Sequence, residues 1–249
     1  MVLATAAEKG WTVWQLDAQI AFLYADVEEE VWVKMAPGYE AKGEATGAPL
    51  VMKLLKSLYG LKQSPKNWHG TIDTFLVGIA FKALKSDPCV YIFNGPTTMK
   101  QGLSTDDVLL AGGNTTTLEM IKGKLISRFN MSAMGDVSRV LGMQVTRDSQ
   151  AGSLTITQED YTRGLLVKCG MQDCRLLRAP EYGKELSLVH PQESLLDDEA
   201  KRRFQAIDGN TMYLSQVTRY DISHAVNQLA RAMSKLVIKG ARGNGQAST

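Results

Sequence analysis

The spacing of apolar positions changes several times along this 249-residue chain, and each change marks an element. Residues 2–9 carry small and apolar side chains at helical intervals, which predicts a helix. Residues 11–16 run Trp-Thr-Val-Trp-Gln-Leu and predict a strand with Asp17 at its end. A short apolar stretch at 18–24 and an acidic run at 26–30 follow. Residues 31–35 and 51–55 predict short strands, separated by Pro37-Gly38 and a polar, Gly-rich loop at 40–49. Ser64 and Pro65 are suited to the cap and first position of a helix whose apolar face is Trp68, Ile72, Phe75, Leu76 and Ile79. Residues 90–93 predict a strand, Asn94-Gly95-Pro96 a turn, and residues 108–111 a second strand. A capped helix from about 116 to 129 aligns Leu118, Ile121, Leu125 and Phe129. Residues 140–146 and 153–157 predict a hairpin around 149–152. Helices follow at about 160–169, 198–207 and 209–234. The order is a mixed α+β region followed by a helical end.

Composition narrows the class only a little. With 44% hydrophobic residues the chain can bury a core, and a net charge of +2 permits nucleic-acid binding without arguing for it. Three cysteines, Cys89, Cys169 and Cys174, make no disulfide framework and predict free thiols in a reducing compartment, zinc being the weaker reading. No apolar run reaches the roughly 20 residues that span a membrane, and no secretory pattern opens the chain. The expectation is an intracellular protein, cytoplasmic or nuclear, without a membrane partner. The candidate chemistry lies in Asp106-Asp107, which precede an apolar run closed by Gly112-Gly113. Such a pair fits a hairpin tip. Joined by Asp17, it makes three carboxylates able to hold two divalent metals for phosphoryl transfer. Taken alone, an Asp pair in a turn is more often only solvated.

Longer motifs decide between these readings. The stretch Gln15-Leu16-Asp17-Ala18-Gln19-Ile20-Ala21-Phe22-Leu23 resembles the "lDVkTAFL" segment of copia-type retrotransposon reverse transcriptases. Lys53-Leu54-Leu55-Lys56-Ser57-Leu58-Tyr59-Gly60-Leu61-Lys62-Gln63-Ser64-Pro65 is similar to the start of that family's "KLkkSLYGLKQaPraW". Ser86-Asp87-Pro88 and Asp106-Asp107-Val108-Leu109-Leu110-Ala111-Gly112 stand where the family has "sDp" and "VDDillaG". Leu141-Gly142-Met143, Gln158-Glu159-Asp160-Tyr161 and Thr218-Arg219-Tyr220-Asp221-Ile222 continue the likeness in order, over about residues 3–235.

The resemblance implies an RNA-directed DNA polymerase. The implied fold is a reverse-transcriptase-like palm, an antiparallel sheet backed by helices, with partial fingers over 1–158. A helical thumb or connection segment over 159–239 and a disordered tail at 240–249 complete it. Asp17, Asp106 and Asp107 are the implied catalytic residues and ligands of two Mg²⁺ ions. Phe22, Tyr59, Gly60, Lys62 and Gln63 are the implied nucleotide and template contacts, and Leu141, Gly142 and Met143 the primer grip. Lys53, Lys56, Lys62 and Lys66 are candidates for template phosphates. Partners would be an RNA or DNA template-primer, deoxynucleoside triphosphates and other retroelement polypeptides. The resemblance also implies a fingers segment before residue 1 and a ribonuclease H module after the helical end.

A second reading is a catalytically inactive retroelement remnant, at most a weak nucleic-acid or protein-binding module. It is motivated by the expectation that a fingers segment is missing before residue 1 and by residues 97–105, which read too polar for a buried strand: Lys100 and Gln101 need partners or exposure, Gly102 weakens pairing, and Ser104-Thr105 replace an aromatic and an aliphatic. On that reading the hairpin is poorly supported. Met212, Tyr213 and Leu214 then offer an exposed apolar patch for a protein partner.

Overall fold

A computed structural model describes residues 1–43, 47–95, 98–104, 106–148, 150–175 and 197–231. The tail expected at 240–249 and Pro96 of the expected Asn94-Gly95-Pro96 turn lie outside them. The chain divides into two compact units, one of residues 1–141 and 145–155, the other of residues 142–144 and those from 156 onward.

The first unit is built on a six-stranded sheet. Helix α1 (Val2–Lys9) ends at Gly10, whose φ of 64° is the left-handed value that closes a helix. Strand β1 (Thr12–Ala18) follows, then a short 3₁₀ turn (Ala21–Tyr24) and the strands β2 (Trp32–Lys34) and β3 (Val51–Lys53), which pair only with each other. Helix α2 (Ser64–Gly78) leads to β4 (Phe81–Ala83), β5 (Val90–Phe93), β6 (Met99–Ser104) and β7 (Asp107–Gly112). Helix α3 (Thr115–Phe129) and β8 (Met131–Asp136) complete the order β4-β5-β6-β7-β1-β8, with antiparallel neighbours throughout.

Alternation along the strands sends side chains to two faces. Leu16, Met99, Val108 and Leu110 pack with Trp68, Ile72 and Leu76 of α2 and with Leu118, Ile121, Leu125 and Phe129 of α3. The helical spacing of those residues in sequence is thus the core face of both helices. Phe129 receives Tyr24, Trp68 and Phe75 edge-on, at centroid distances of 5.5, 5.2 and 5.1 Å, each pair adding about 0.5–1.5 kcal/mol beyond its buried area. On the other face Val2 and Ala6 of α1 cover Val13, Val90 and Ala111. Asn114 caps α3 by accepting the Thr117 N–H at 2.8 Å, worth about 1 kcal/mol.

Three expectations need correction here. Residue 63, not Ser64, caps α2: the Ser64 hydroxyl donates to the Leu58 carbonyl at 2.6 Å and ties the preceding turn to the helix, so Ser64 and Pro65 fill its first turn. Asp17 lies inside β1 rather than after it. The polar stretch before Asp106 is a strand after all, paired to β5 on one side and β7 on the other. Lys100 reaches the Thr5 hydroxyl at 3.0 Å. Gln101 is fully buried with neither side-chain polar atom partnered, so the sheet tolerates the polarity instead of excluding it.

Strands β9 (Arg139–Val140), β10 (Met143–Asp148) and β11 (Ser153–Thr157) form a separate three-stranded sheet. In the second unit α4 (Glu159–Lys168) is followed by α5 (Asp198–Val217) and α6 (Ser223–Arg231). The expected break at residue 208 is absent, because Gly209 takes helical geometry and α5 runs through it. The apolar patch expected at Met212, Tyr213 and Leu214 is also overturned: Leu214 is buried, the other two are half-buried, and Tyr213 packs edge-on against Tyr161 at 5.2 Å. Among the described residues no helix is long and apolar enough to cross a membrane.

Candidate active site

The register of the sheet brings the three aspartates to one end of it. In the β1–β7 ladder Asp17 lies directly opposite Asp107, and both follow the alternation that carries Gln15 to the same face. In the β6–β7 hairpin Ser104 pairs with Asp107, which places Asp106 at the tip. The Ala18 N–H then clamps that tip by donating to the Asp106 carbonyl at 2.8 Å. Backbone pairing alone therefore fixes Asp17, Asp106 and Asp107 as neighbours.

Two side chains position the carboxylates. Gln15, 6% exposed, donates from Nε2 to Asp107 Oδ1 at 3.0 Å. Tyr59 donates its hydroxyl to Asp106 Oδ2 at 3.3 Å. The Tyr59 ring leans on Phe22, with centroids 4.4 Å apart and planes tilted by 47°. Phe22 itself is buried on the 3₁₀ turn that follows β1. That turn is entered through Ile20, whose φ of 53° is a left-handed conformation that a β-branched residue rarely adopts. Strain thus sits between the aspartate strand and the aromatic pair, as is common at functional sites. Gly60 has a φ of 99°, and a Cβ there would meet nothing within 4 Å, so within the protein its backbone angle is what calls for glycine.

Electrostatics follow from this crowding. Desolvation pushes the Asp106 carboxyl above its usual range; the Tyr59 hydrogen bond opposes that, and the charges of Asp17 and Asp107 add to it. The Tyr59 hydroxyl is also raised, first by desolvation and then by the Asp106 carboxylate beside it. Asp106 Oδ1 is buried with no hydrogen-bond partner. A buried acceptor repelled by two further carboxylates is a position that a cation would satisfy, and hard oxygen donors suit Mg²⁺. The donor set therefore fits a divalent metal, although among the described residues no three acidic, His or Cys side chains are gathered as a ready-made metal cluster.

The other sequence candidates fall at separate places. Gln63 caps α2 and donates to Glu29 at 3.1 Å, while Lys62 is exposed. Lys53 and Lys56 are occupied by ion pairs with Glu30 and Asp26. Leu141 and Gly142 both have positive φ, 51° and 76°, and form the two-residue turn between β9 and β10; Met143 opens β10. The role of Gln15 escaped sequence reasoning. Its only signal was a polar residue two positions before Asp17, on the same strand face.

The profile of the family described as reverse transcriptase (RNA-dependent DNA polymerase) matches residues 1–182. Over 237 residues the chain is 32% identical to the retrovirus-related Pol polyprotein from transposon TNT 1-94 of Nicotiana tabacum, covering 92% of this chain and 18% of that one. It is 30% identical over 234 residues to the corresponding polyprotein from transposon RE2 of Arabidopsis thaliana, covering 94% and 16%. A putative transposon Ty5-1 protein of Saccharomyces cerevisiae is 25% identical over 219 residues, covering 87% and 68%. The chain spans less than a fifth of the length of the two plant polyproteins.

Proposed function

Because the chain belongs to the copia-type reverse transcriptase (RNA-dependent DNA polymerase) family, we propose that its first unit is the polymerase palm and that Asp17, Asp106 and Asp107 are the catalytic carboxylates. The observation that carries this reading is the register: Asp17 opposite Asp107, with Asp106 at the adjoining tip. The second unit is the thumb-like segment, and Leu141, Gly142 and Met143 grip the primer end.

The reaction is attack of a primer 3′-hydroxyl on the α-phosphate of a deoxynucleoside triphosphate, forming the new ester and releasing pyrophosphate. Reverse transcriptases generally use divalent metal ions, and here Asp17, Asp106 and Asp107 would hold two Mg²⁺. When bound, such a pair stabilises both the attacking and the leaving oxygen. Gln15 keeps one Asp107 oxygen turned and occupied, and Tyr59 does the same for Asp106 Oδ2. Asp106 Oδ1 is left as the open acceptor. Phe22, fixed under Tyr59, makes a rigid apolar floor against which a nucleotide sugar is positioned. Positioning and charge neutralisation supply most of the rate in phosphoryl transfer, so a floor and two oriented carboxylates are what such a site needs. The polar stretch before Asp106, one motive for the competing picture of an inactive remnant, pairs along both edges as β6, which favours the polymerase reading.

The test is Mg²⁺-dependent extension of a primed RNA template by the full chain, beside its Asp106→Asn variant. Extension by the wild type that falls by at least about a hundredfold in the variant is expected, as for loss of one electrostatic catalytic group. Equal signals from the two proteins would remove Asp106 from the mechanism.

A further inference from the structure

Between α2 and β6, on the core side of the sheet, lies a cavity of about 320 Å³. Its apolar walls are Trp68, Ile72 and Leu103, and its polar points are His69, Cys89 and Ser104. Trp68 and Ile72 are almost fully buried, so these walls are set by the core. The floor is fixed as well, because the Leu103 N–H donates to the Cys89 carbonyl at 2.8 Å. His69 Nε2 is buried and has no hydrogen-bond partner, and Cys89 carries a free thiol.

We propose that this cavity is a binding site for a small neutral aromatic alcohol. The volume lies at the lower end of the range for small-molecule pockets, about 300–1,000 Å³, which combine apolar walls with a few convergent polar groups. Among the described residues no charged side chain lines it, so an ionic ligand would lose its hydration without compensation. One unpartnered ring nitrogen is the strongest polar demand of the site. A hydroxyl both donates and accepts, so it satisfies His69 Nε2 whichever ring nitrogen carries the proton. Ser104 also borders the cavity. A flat ring suits a slot walled by an indole and two aliphatic side chains. The site is distinct from the carboxylates and does not rest on the polymerase reading, although Ser104 also pairs with Asp107 and so lies next to the candidate active site.

The probe is β-naphthol, added to the full chain, with alkylation of each cysteine by iodoacetamide followed by peptide mass spectrometry. The expected result is several-fold slower alkylation of Cys89 at saturating probe, with exposed Cys174 unchanged. Calorimetric affinity is expected to fall roughly tenfold in His69→Leu, the change for one lost hydrogen bond, and binding to vanish in Cys89→Phe, which fills the cavity. Unchanged alkylation of Cys89, protection shared equally by Cys174, or undiminished affinity in His69→Leu would each overturn the proposal. The alkylation arm uses the unmutated protein and holds even where a variant fails to fold.

Discussion

At the scale of single residues, the most informative groups are polar side chains buried without partners. Gln101 occupies a core-facing position of β6, between Tyr91 on one side and Leu110 on the other, with both polar atoms unpaired. Leaving buried donors and acceptors unmade costs about 1–3 kcal/mol, so Gln101→Met, of similar shape, is expected to raise stability by about that amount in urea unfolding. A midpoint shifted downward would contradict it. Asp208 on α5 poses the same problem with a charge, being 2% exposed with both carboxylate oxygens unpartnered. Burial raises its carboxyl above the ordinary range. The folded chain therefore keeps a proton that the unfolded chain releases near the ordinary pKa of about 3.9. Its contribution to stability is fully present at acid pH and declines as pH rises through the native value. Asp208→Asn is expected to be more stable than the wild type near neutral pH, the gain shrinking as pH falls through the raised native value and lost below about 4. A gain independent of pH would show that charge burial is not the cause.

Elements show how far the sequence could be read. Helices α2 and α3 were legible because Trp68, Ile72, Leu76 and Leu118, Ile121, Leu125, Phe129 repeat at helical spacing and meet one core. Strands β1 and β7 were legible from their apolar runs. The candidate site was legible through Asp17 and Asp106-Asp107, whose identity the family motifs carried and whose contact the register now supplies. Strand β6 was illegible because Lys100 and Gln101 contradict a buried pattern, and only pairing on both edges keeps them there. Gln15 was hidden for a different reason: a hydrogen bond between residues 92 positions apart leaves no local trace. Gly209 misled in the opposite direction. Glycine in a helix interior suggests a break, but packing overrides propensity here, and a Cβ at Gly209 would meet nothing within 4 Å. Gly209→Ala should therefore stabilise the chain by about 0.5–1 kcal/mol, read as a higher thermal midpoint. A loss of stability would mean that the residue serves something other than the helix. The turn of Leu141 and Gly142 offers a parallel case. Leucine at a φ of 51° is strained, and Leu141→Asn, a residue that tolerates the left-handed region, is expected to gain about 1 kcal/mol.

For the whole molecule, charge is the property that governs encounter with nucleic acid. A net charge of only +2 cannot draw a polyanion to every surface, so affinity must come from cations that are locally uncompensated. The lysines on and after β3 differ sharply in this respect. Lys53 and Lys56 are held by Glu30 and Asp26, whereas among the described residues Lys62 and Lys66 make no ion pair and are exposed beside the start of α2. A lysine already neutralised releases few phosphate counterions on binding; an uncompensated one releases close to a full counterion. Each of Lys62→Ala and Lys66→Ala should therefore lower the slope of log affinity against log salt by about 0.9 for a duplex primer-template. Lys53→Ala and Lys56→Ala should alter it far less, because each of these lysines is already neutralised by its carboxylate. The measurement is fluorescence anisotropy of a labelled primer-template between about 50 and 200 mM salt. Equal slope changes for all four lysines would mean that the ion pairs open on binding, and would place the nucleic acid over Glu30 and Asp26 as well as over the start of α2.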